Sequence, residues 1–139
     1  MIYRPVYDTN TLISAYLSPN GTTARAVDLS RRSDVEAIAC NELLNEYREK
    51  LTGKFRLSAE EADGLLGRWR ALVNVAEIQG ETGFSSDPDD DMVLECAFVG
   101  GATHIVTGDK KHLLPLGRFK GIPIITPADF LKLVEDSDD

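Results

Sequence analysis

Acidic side chains stand at four places where the sequence predicts the end of a strand or one face of a helix. Asp8 and Asp109 come at the ends of apolar segments typical of buried strands, while Glu46 and Asp91 fall within predicted helices. Carboxylates that converge without a neighbouring cation repel one another strongly unless a divalent metal neutralises them. All-oxygen ligands favour Mg²⁺ or Mn²⁺, and such a metal can activate water against a phosphodiester. The pattern therefore indicates metal-dependent phosphodiester chemistry.

Each acid also has an ordinary structural interpretation, and these alternatives stay open at this point. Asp8 is a typical helix cap, and residues 87–91 are typical of a first helical turn, where acids favour the helix dipole. Gly108-Asp109 is typical of a turn, and Glu46 of a solvated helix face with Glu42 and Lys50 one turn away. The combination of acids at corresponding strand ends is what favours the chemical interpretation.

Strands and helices alternate along the whole sequence. Apolar periodicity, caps and turn residues predict strands at 2–7, 35–40, 104–107 and 122–126, with a further short edge strand at 75–78. They predict helices at 11–17, 22–32, 42–51, 58–75 and 92–99 and from Pro127 onward, the fourth opened by the capping box Ser58–Glu61. This order predicts an α/β fold with a parallel sheet and helices on both faces, in which ligands bind beyond the carboxyl ends of the strands.

Size and composition predict one domain over residues 1–139, with a frayed acidic tail at 135–139. The formal charge of −8 excludes sequence-independent coating of DNA, but a bound metal would invert the local charge in a nuclease. No stretch approaches the roughly 20 apolar residues of a membrane span, and the start is not a secretory signal. We therefore expect a cytoplasmic protein in which Cys40 and Cys96 are reduced and buried, although a disulfide stays open.

Five segments in order carry a family resemblance that covers nearly the whole chain. They are Val6-Tyr7-Asp8-Thr9-Asn10, Asn41-Glu42-Leu43-Leu44-Asn45-Glu46-Tyr47, Asp87-Pro88-Asp89-Asp90-Asp91 with Leu94 and Ala97, Ile105-Val106-Thr107-Gly108-Asp109-Lys110-Lys111-His112-Leu113, and Ile124-Ile125-Thr126-Pro127-Ala128-Asp129-Phe130-Leu131. With these segments the chain resembles the PIN domain family. In particular it is similar to the toxin components of bacterial toxin–antitoxin pairs, the VapC-like ribonucleases.

The resemblance implies a three-layer α/β/α sandwich around a parallel sheet. It also implies an endoribonuclease that hydrolyses RNA with one or two Mg²⁺ or Mn²⁺ ions. The positions that match the four family acids, as catalytic and metal-binding residues, are Asp8, Glu46, Asp91 and Asp109. Asn10 and Thr107 match the small polar residues that support these acids.

The third acid has an adjacent alternative. Asp90 precedes Asp91 directly, and a shift of one residue exchanges the two. The resemblance favours Asp91, because the spacing of Asp91 to Leu94 and to Asp109 matches the wider family better. Asp87 is either a supporting residue or a helix cap. Lys110 and Lys111 follow Asp109 and are candidates for contacts to RNA phosphate, with a solvated loop as the equal alternative.

The resemblance further implies an RNA substrate, a homodimer, no membrane and a small antitoxin whose basic segment inserts into the acidic cleft. The main alternative is a catalytically inactive PIN-like protein that only binds RNA or a partner. A haloacid dehalogenase phosphatase is disfavoured because Asn10 stands where that chemistry needs a second acid. A receiver domain is disfavoured because this chain lacks the adjacent acids that such a domain carries early in its sequence. A nucleotide-binding module is disfavoured because no glycine-rich nucleotide-binding motif is present.

Overall fold

The computed structural model describes residues 1–85 and 87–137. Within them the strands are β1 (Pro5–Tyr7), β2 (Ala37–Cys40), β3 (Val73–Ala76), β4 (His104–Val106), β5 (Arg118–Phe119) and β6 (Ile122–Ile125). The helices are α1 (Thr9–Leu17), α2 (Thr22–Asp28), α3 (Asn41–Thr52), α4 (Ala59–Arg70), α5 (Pro88–Gly100) and α6 (Pro127–Asp136), with 3-10 turns at Leu29–Arg31 and Leu114–Leu116.

In the described part of the chain, the six strands form one sheet in the order β3-β2-β1-β4-β6-β5. All pairs are parallel except the short hairpin of β5 and β6. β1 lies at the centre, where Val6 is in register with Ile38 on one side and Ile105 on the other. The expected parallel α/β/α fold is thereby confirmed, and the carboxyl ends of β1 and β4 lie side by side.

Two apolar clusters form the core, one on each face of the sheet, because successive strand residues point to opposite faces. Tyr7 and Val106 face the cluster beneath α1, α2, α3, α4 and α6, where Phe130 is fully buried. Val6, Ile38 and Ile105 face α5, which contributes Leu94 and Ala97. The layers thus place α5 on one face of the sheet and α1, α2, α4 and α6 on the opposite face, while α3 contributes Leu43 to the cluster on the α5 face and Leu44 to the other cluster.

Several predicted boundaries need correction. The helix after the Ser58–Glu61 capping box ends at Arg70 rather than near Val75, because Val73–Ala76 pair with β2 as a strand. The hairpin strand β5 was not predicted. α6 continues through Asp136, so the first two residues of the expected frayed tail are helical, and residues 138–139 lie outside the described part.

Cys40 and Cys96 are both free thiols and both buried, which confirms the expectation of reduced cysteines. The interaction with the neighbouring Cys40 thiol, together with burial, raises the pKa of Cys96 well above its usual range. Over residues 1–85 and 87–137, none of the helices combines the length and the apolar character needed to cross a bilayer.

The end of α5 lies so close to the sheet that only glycine fits at position 100. A Cβ at Gly100 would come within 2.5 Å of Ile38 Cγ2 and 3.4 Å of Ala76 Cβ. We expect Gly100→Ala to lower the free energy of unfolding by about 1–3 kcal/mol, since overpacking a closed interface displaces buried atoms. Gly67→Ala is the matched control, because nothing lies within 4 Å of its Cβ.

In an exposed helical position such as Gly67, alanine is expected to stabilise by about 0.5–1 kcal/mol. Urea unfolding of the two variants measures both effects. Equal stability of Gly100→Ala and the unmodified protein would show that α5 can move away from β2 at no cost.

Candidate active site

Carboxylates from four segments of the chain converge on one cleft at the carboxyl edge of the sheet. Asp8 follows β1, Asp109 follows β4, Glu46 projects from α3 and Asp90 from the first turn of α5. The cleft has a volume of about 200 Å³. Its lining residues are Asp8, Thr9, Asn10, Glu46, Lys50, Asp87, Asp89, Asp90, Val93, Asp109 and His112.

Asp8 is both the N-cap of α1 and a wall of the cleft. Its Oδ1 accepts hydrogen bonds from the backbone N–H of Thr11, at 3.0 Å, and from the Thr11 hydroxyl. Its Oδ2 accepts from the Thr107 hydroxyl at 2.7 Å. Burial raises the pKa of Asp8; the hydrogen bonds from Thr107 and Thr11 oppose this and the charge of Asp109 adds to it. Both oxygens are therefore held in fixed positions.

Thr107 connects the acids that follow the two central strands. It is fully buried, and its Oγ1 accepts from the backbone N–H of Asp109 at 3.0 Å while its hydroxyl donates to Asp8. Asp109 Oδ1 in turn accepts from the N–H groups of Lys111 and His112 at 3.0 and 3.1 Å. This chain of hydrogen bonds fixes the orientation of Asp109 relative to Asp8, the supporting role expected for Thr107.

Glu46 forms the side wall of the cleft on α3. Burial raises its pKa, and the ammonium of Lys50, 3.9 Å from its Oε1, partly offsets that rise. The same ammonium donates to Asn10 Oδ1 at 2.9 Å. Asn10 thus contacts the site through Lys50, a residue that the sequence analysis treated only as a neighbour of Glu46. Thr11 was also missed, although its position three residues after a capping Asp is a typical signal for such a contact.

Asp90, and not Asp91, belongs to the acidic cleft. Asp90 is 9% exposed, and its Oδ2 is buried with no hydrogen-bond partner among the described residues. Burial first, and then the charges of Asp87 and Asp109, raise the pKa of Asp90 to about 6. A buried carboxylate oxygen without a partner, facing other acids, is suited to hold a cation.

Asp91, the residue that the sequence favoured, does not line the cleft, because its two carboxylate oxygens accept hydrogen bonds from a neighbouring segment. Asp91 Oδ1 accepts from the Ser85 N–H at 2.8 Å and Oδ2 accepts from the Gly83 N–H at 3.1 Å. Glu95, one turn later, accepts from three N–H groups, those of Gln79, Gly80 and Glu81. Both carboxylates bind residues 79–85, named here the strap, which adopt no helix or strand.

The remaining predicted residues lie at the rim. Asp87 lines the cleft and also caps α5, since its Oδ1 accepts from the Asp89 N–H at 2.9 Å. Lys110 and Lys111 are exposed and do not line the cleft, whereas His112 does. A contact between the two lysines and RNA stays a prediction.

The donor set of the cleft fits a hard divalent cation, because it consists of carboxylate oxygens and includes the partnerless Asp90 Oδ2. Among residues 1–85 and 87–137, however, no three acidic, histidine or cysteine side chains are close enough together to form a ready-made metal site.

The raised pKa of Asp90 predicts how the metal-free protein responds to pH. Its pKa is about 6 in the folded state against about 3.9 unfolded, so the folded state binds the extra proton between these values. This contribution to stability is complete below about pH 4 and is lost as the pH rises through about 6, an expected total of about 3 kcal/mol.

Urea unfolding in EDTA across this pH range, with Asp90→Asn as the comparison, measures the effect. The asparagine cannot ionise, so the difference in unfolding free energy between the two proteins isolates Asp90 from the other carboxyls. Parallel pH profiles would mean that Asp90 ionises as freely as it does in the unfolded chain.

A parallel α/β/α domain with carboxylates gathered at the carboxyl edge of its sheet has the architecture of a nuclease-type domain. The family model described as PIN domain matches residues 4–111, which is well over half of the chain and includes every acid that lines the cleft. The chain therefore belongs to the PIN domain family, whose members are generally nucleases and typically use divalent metal ions. Among curated proteins, the comparison found no match.

Proposed function

We propose that this protein is a metal-dependent endoribonuclease that hydrolyses RNA phosphodiesters with one or two Mg²⁺ or Mn²⁺ ions. The observation that carries the proposal is the convergence of Asp8, Glu46, Asp90 and Asp109 on one cleft. The cleft is lined by six acids and one lysine, a costly arrangement for folding alone, and the raised pKa of Asp90 reflects that cost.

Within this proposal, Asp8, Asp90 and Asp109 hold the cation. A divalent cation in the cleft supplies positive charge that stabilises the phosphodiester under attack and acidifies the attacking water. Asp8 is fixed by Thr11 and Thr107, and Asp109 by Thr107 and two backbone N–H groups, so neither has to reorganise. Glu46, whose pKa is raised, completes the cleft and is available to accept a proton.

We further propose that the protein is the toxin of a toxin–antitoxin pair and acts as a homodimer in the cytoplasm. Two features support a small protein partner. The acidic cleft is complementary to a basic segment. A cavity of about 420 Å³ between α1, α2 and α4 is lined by apolar side chains together with Arg25, Asp28, Arg31 and Arg68. It includes Trp69, whose buried Nε1 has no partner among the described residues. Co-expression that yields a stable complex and suppresses cleavage would test this part.

The experiment that tests the main proposal is a cleavage assay on mixed structured RNAs and on DNA of matched sequence, with Mg²⁺, Mn²⁺ or EDTA. We expect cleavage of RNA that requires the metal. Absence of cleavage under every metal by the well-folded protein, together with RNA binding, would instead support the alternative of a PIN domain that only binds RNA or a partner.

A further inference from the structure

A second polar cavity adjoins the acidic cleft and shares two of its residues. Its volume is about 340 Å³, and Asn10 and Asp109 line both spaces. Its other lining residues are Thr11, Ser14, Thr23, Gly108 and Pro127. We name this space the polar groove; it lies between α1, the start of α2 and the loop that follows β4.

The polar groove differs from the cleft in its chemistry. Apart from the shared Asp109 it contains no charged side chain, and its functional groups are hydroxyls and one amide. The Ser14 and Thr23 hydroxyls have no hydrogen-bond partner within the described residues. The Lys50 ammonium donates a hydrogen bond to Asn10 Oδ1. Asn10 can therefore offer its amide nitrogen as a donor to a ligand.

This lining favours the base and ribose of a nucleotide over its phosphate. A phosphate would meet the charge of Asp109 with no Lys or Arg in the groove to balance it. A base edge or a ribose hydroxyl needs neutral groups that both donate and accept, which hydroxyls and amides provide. The volume also lies in the range of small-ligand sites, about 300–1,000 Å³.

We propose that the polar groove binds one unpaired nucleoside of the RNA strand, next to the phosphodiester that lies in the acidic cleft. This inference rests on the proposed function and assigns the nucleoside-binding residues of its site, among them Ser14 and Thr23. A paired base cannot enter a cavity with walls on several sides unless it leaves the duplex stack. The shared residues Asn10 and Asp109 then lie where the two neighbouring parts of the strand meet.

Two neighbouring threonines provide a matched test. Thr23→Phe fills the groove, whereas Thr22→Phe places the same side chain on the same helix at an exposed position outside it. Ser14→Phe fills the groove from α1 as an independent variant. Binding of a labelled random-sequence RNA decamer, single-stranded or annealed to its complement, is measured by fluorescence anisotropy in EDTA. KM and kcat are measured with Mn²⁺, and Mn²⁺ affinity by calorimetry.

We expect both groove variants to raise Kd and KM for the single strand about tenfold or more, because hydrogen bonds to the nucleoside are lost and its space is filled. Mn²⁺ affinity should stay unchanged in all variants, and Thr22→Phe should behave as the unmodified protein. Each of three results would overturn the inference. They are unchanged Kd and KM in the groove variants, no binding of RNA by the unmodified protein, and equally tight binding of the duplex.

The outcomes also separate the two proposals. Undiminished cleavage by the groove variants would leave the ribonuclease proposal standing and remove the nucleoside site. RNA binding that depends on the groove, without cleavage under any metal, would support the nucleoside site and remove the ribonuclease proposal.

Discussion

Asp8→Asn is expected to lower the rate of metal-dependent cleavage by about 100-fold or more, while the protein remains folded. The side chain is held by Thr11 and Thr107, and an amide oxygen can still accept from the Thr11 N–H as a helix cap. What the substitution removes is the negative charge and one oxygen ligand at the centre of the cleft. Asp8→Asn is therefore expected to lower activity without lowering stability.

The measurement is cleavage of RNA with Mn²⁺, accompanied by urea unfolding of the same samples. Asp28→Asn is the matched control, since Asp28 is an exposed acid paired with Arg31 and lies outside the acidic cleft. The control should cleave as the unmodified protein does. Full activity of Asp8→Asn would remove Asp8, and with it the proposed metal site, from the mechanism.

The adjacent acids Asp90 and Asp91 are expected to respond in opposite ways to the same substitution. Asp90→Asn should weaken Mn²⁺ binding and cleavage by about 10–100-fold, because it removes a ligand from the cleft. In the metal-free protein near pH 7 it should stabilise the fold, because it removes a buried charge repelled by its neighbours. Asp91→Asn should leave Mn²⁺ affinity unchanged.

Asp91→Asn is instead expected to lower the free energy of unfolding by about 2 kcal/mol, because an amide NH₂ would face the N–H of Gly83 or Ser85. Calorimetry with Mn²⁺ and urea unfolding of the two variants provide the comparison. If Asp91→Asn lost the metal and Asp90→Asn kept it, Asp91 rather than Asp90 would be the metal ligand.

The sequence was sufficient to place those acids that local rules control. Asp8 and Asp109 follow strands whose apolar character is evident, and parallel strands bring their carboxyl ends to one edge. Glu46 follows from the helical period of α3, whose buried residues Leu43 and Tyr47 leave it at the side. The family resemblance added the order of the motifs but could not separate two neighbouring aspartates.

Contacts between distant segments decided what the sequence could not. The choice of Asp90 depends on the rotation of α5, which is fixed by hydrogen bonds from the strap to Asp91 and Glu95. α4 ended early because pairing with β2 outweighed the helical spacing of Leu72 and Val75. The polar groove depends on Thr23, which approaches α1 only through the packing of α2.

The strap has a further consequence for the dynamics of the protein. Its N–H groups at positions 79, 80, 81, 83 and 85 all donate to carboxylates of a single helix, as they would to a neighbouring strand. Amide hydrogens held in this way exchange with solvent only when the donor and the acceptor separate. Although irregular in conformation, the strap should therefore exchange as slowly as α5, and the two should open together as one cooperative unit.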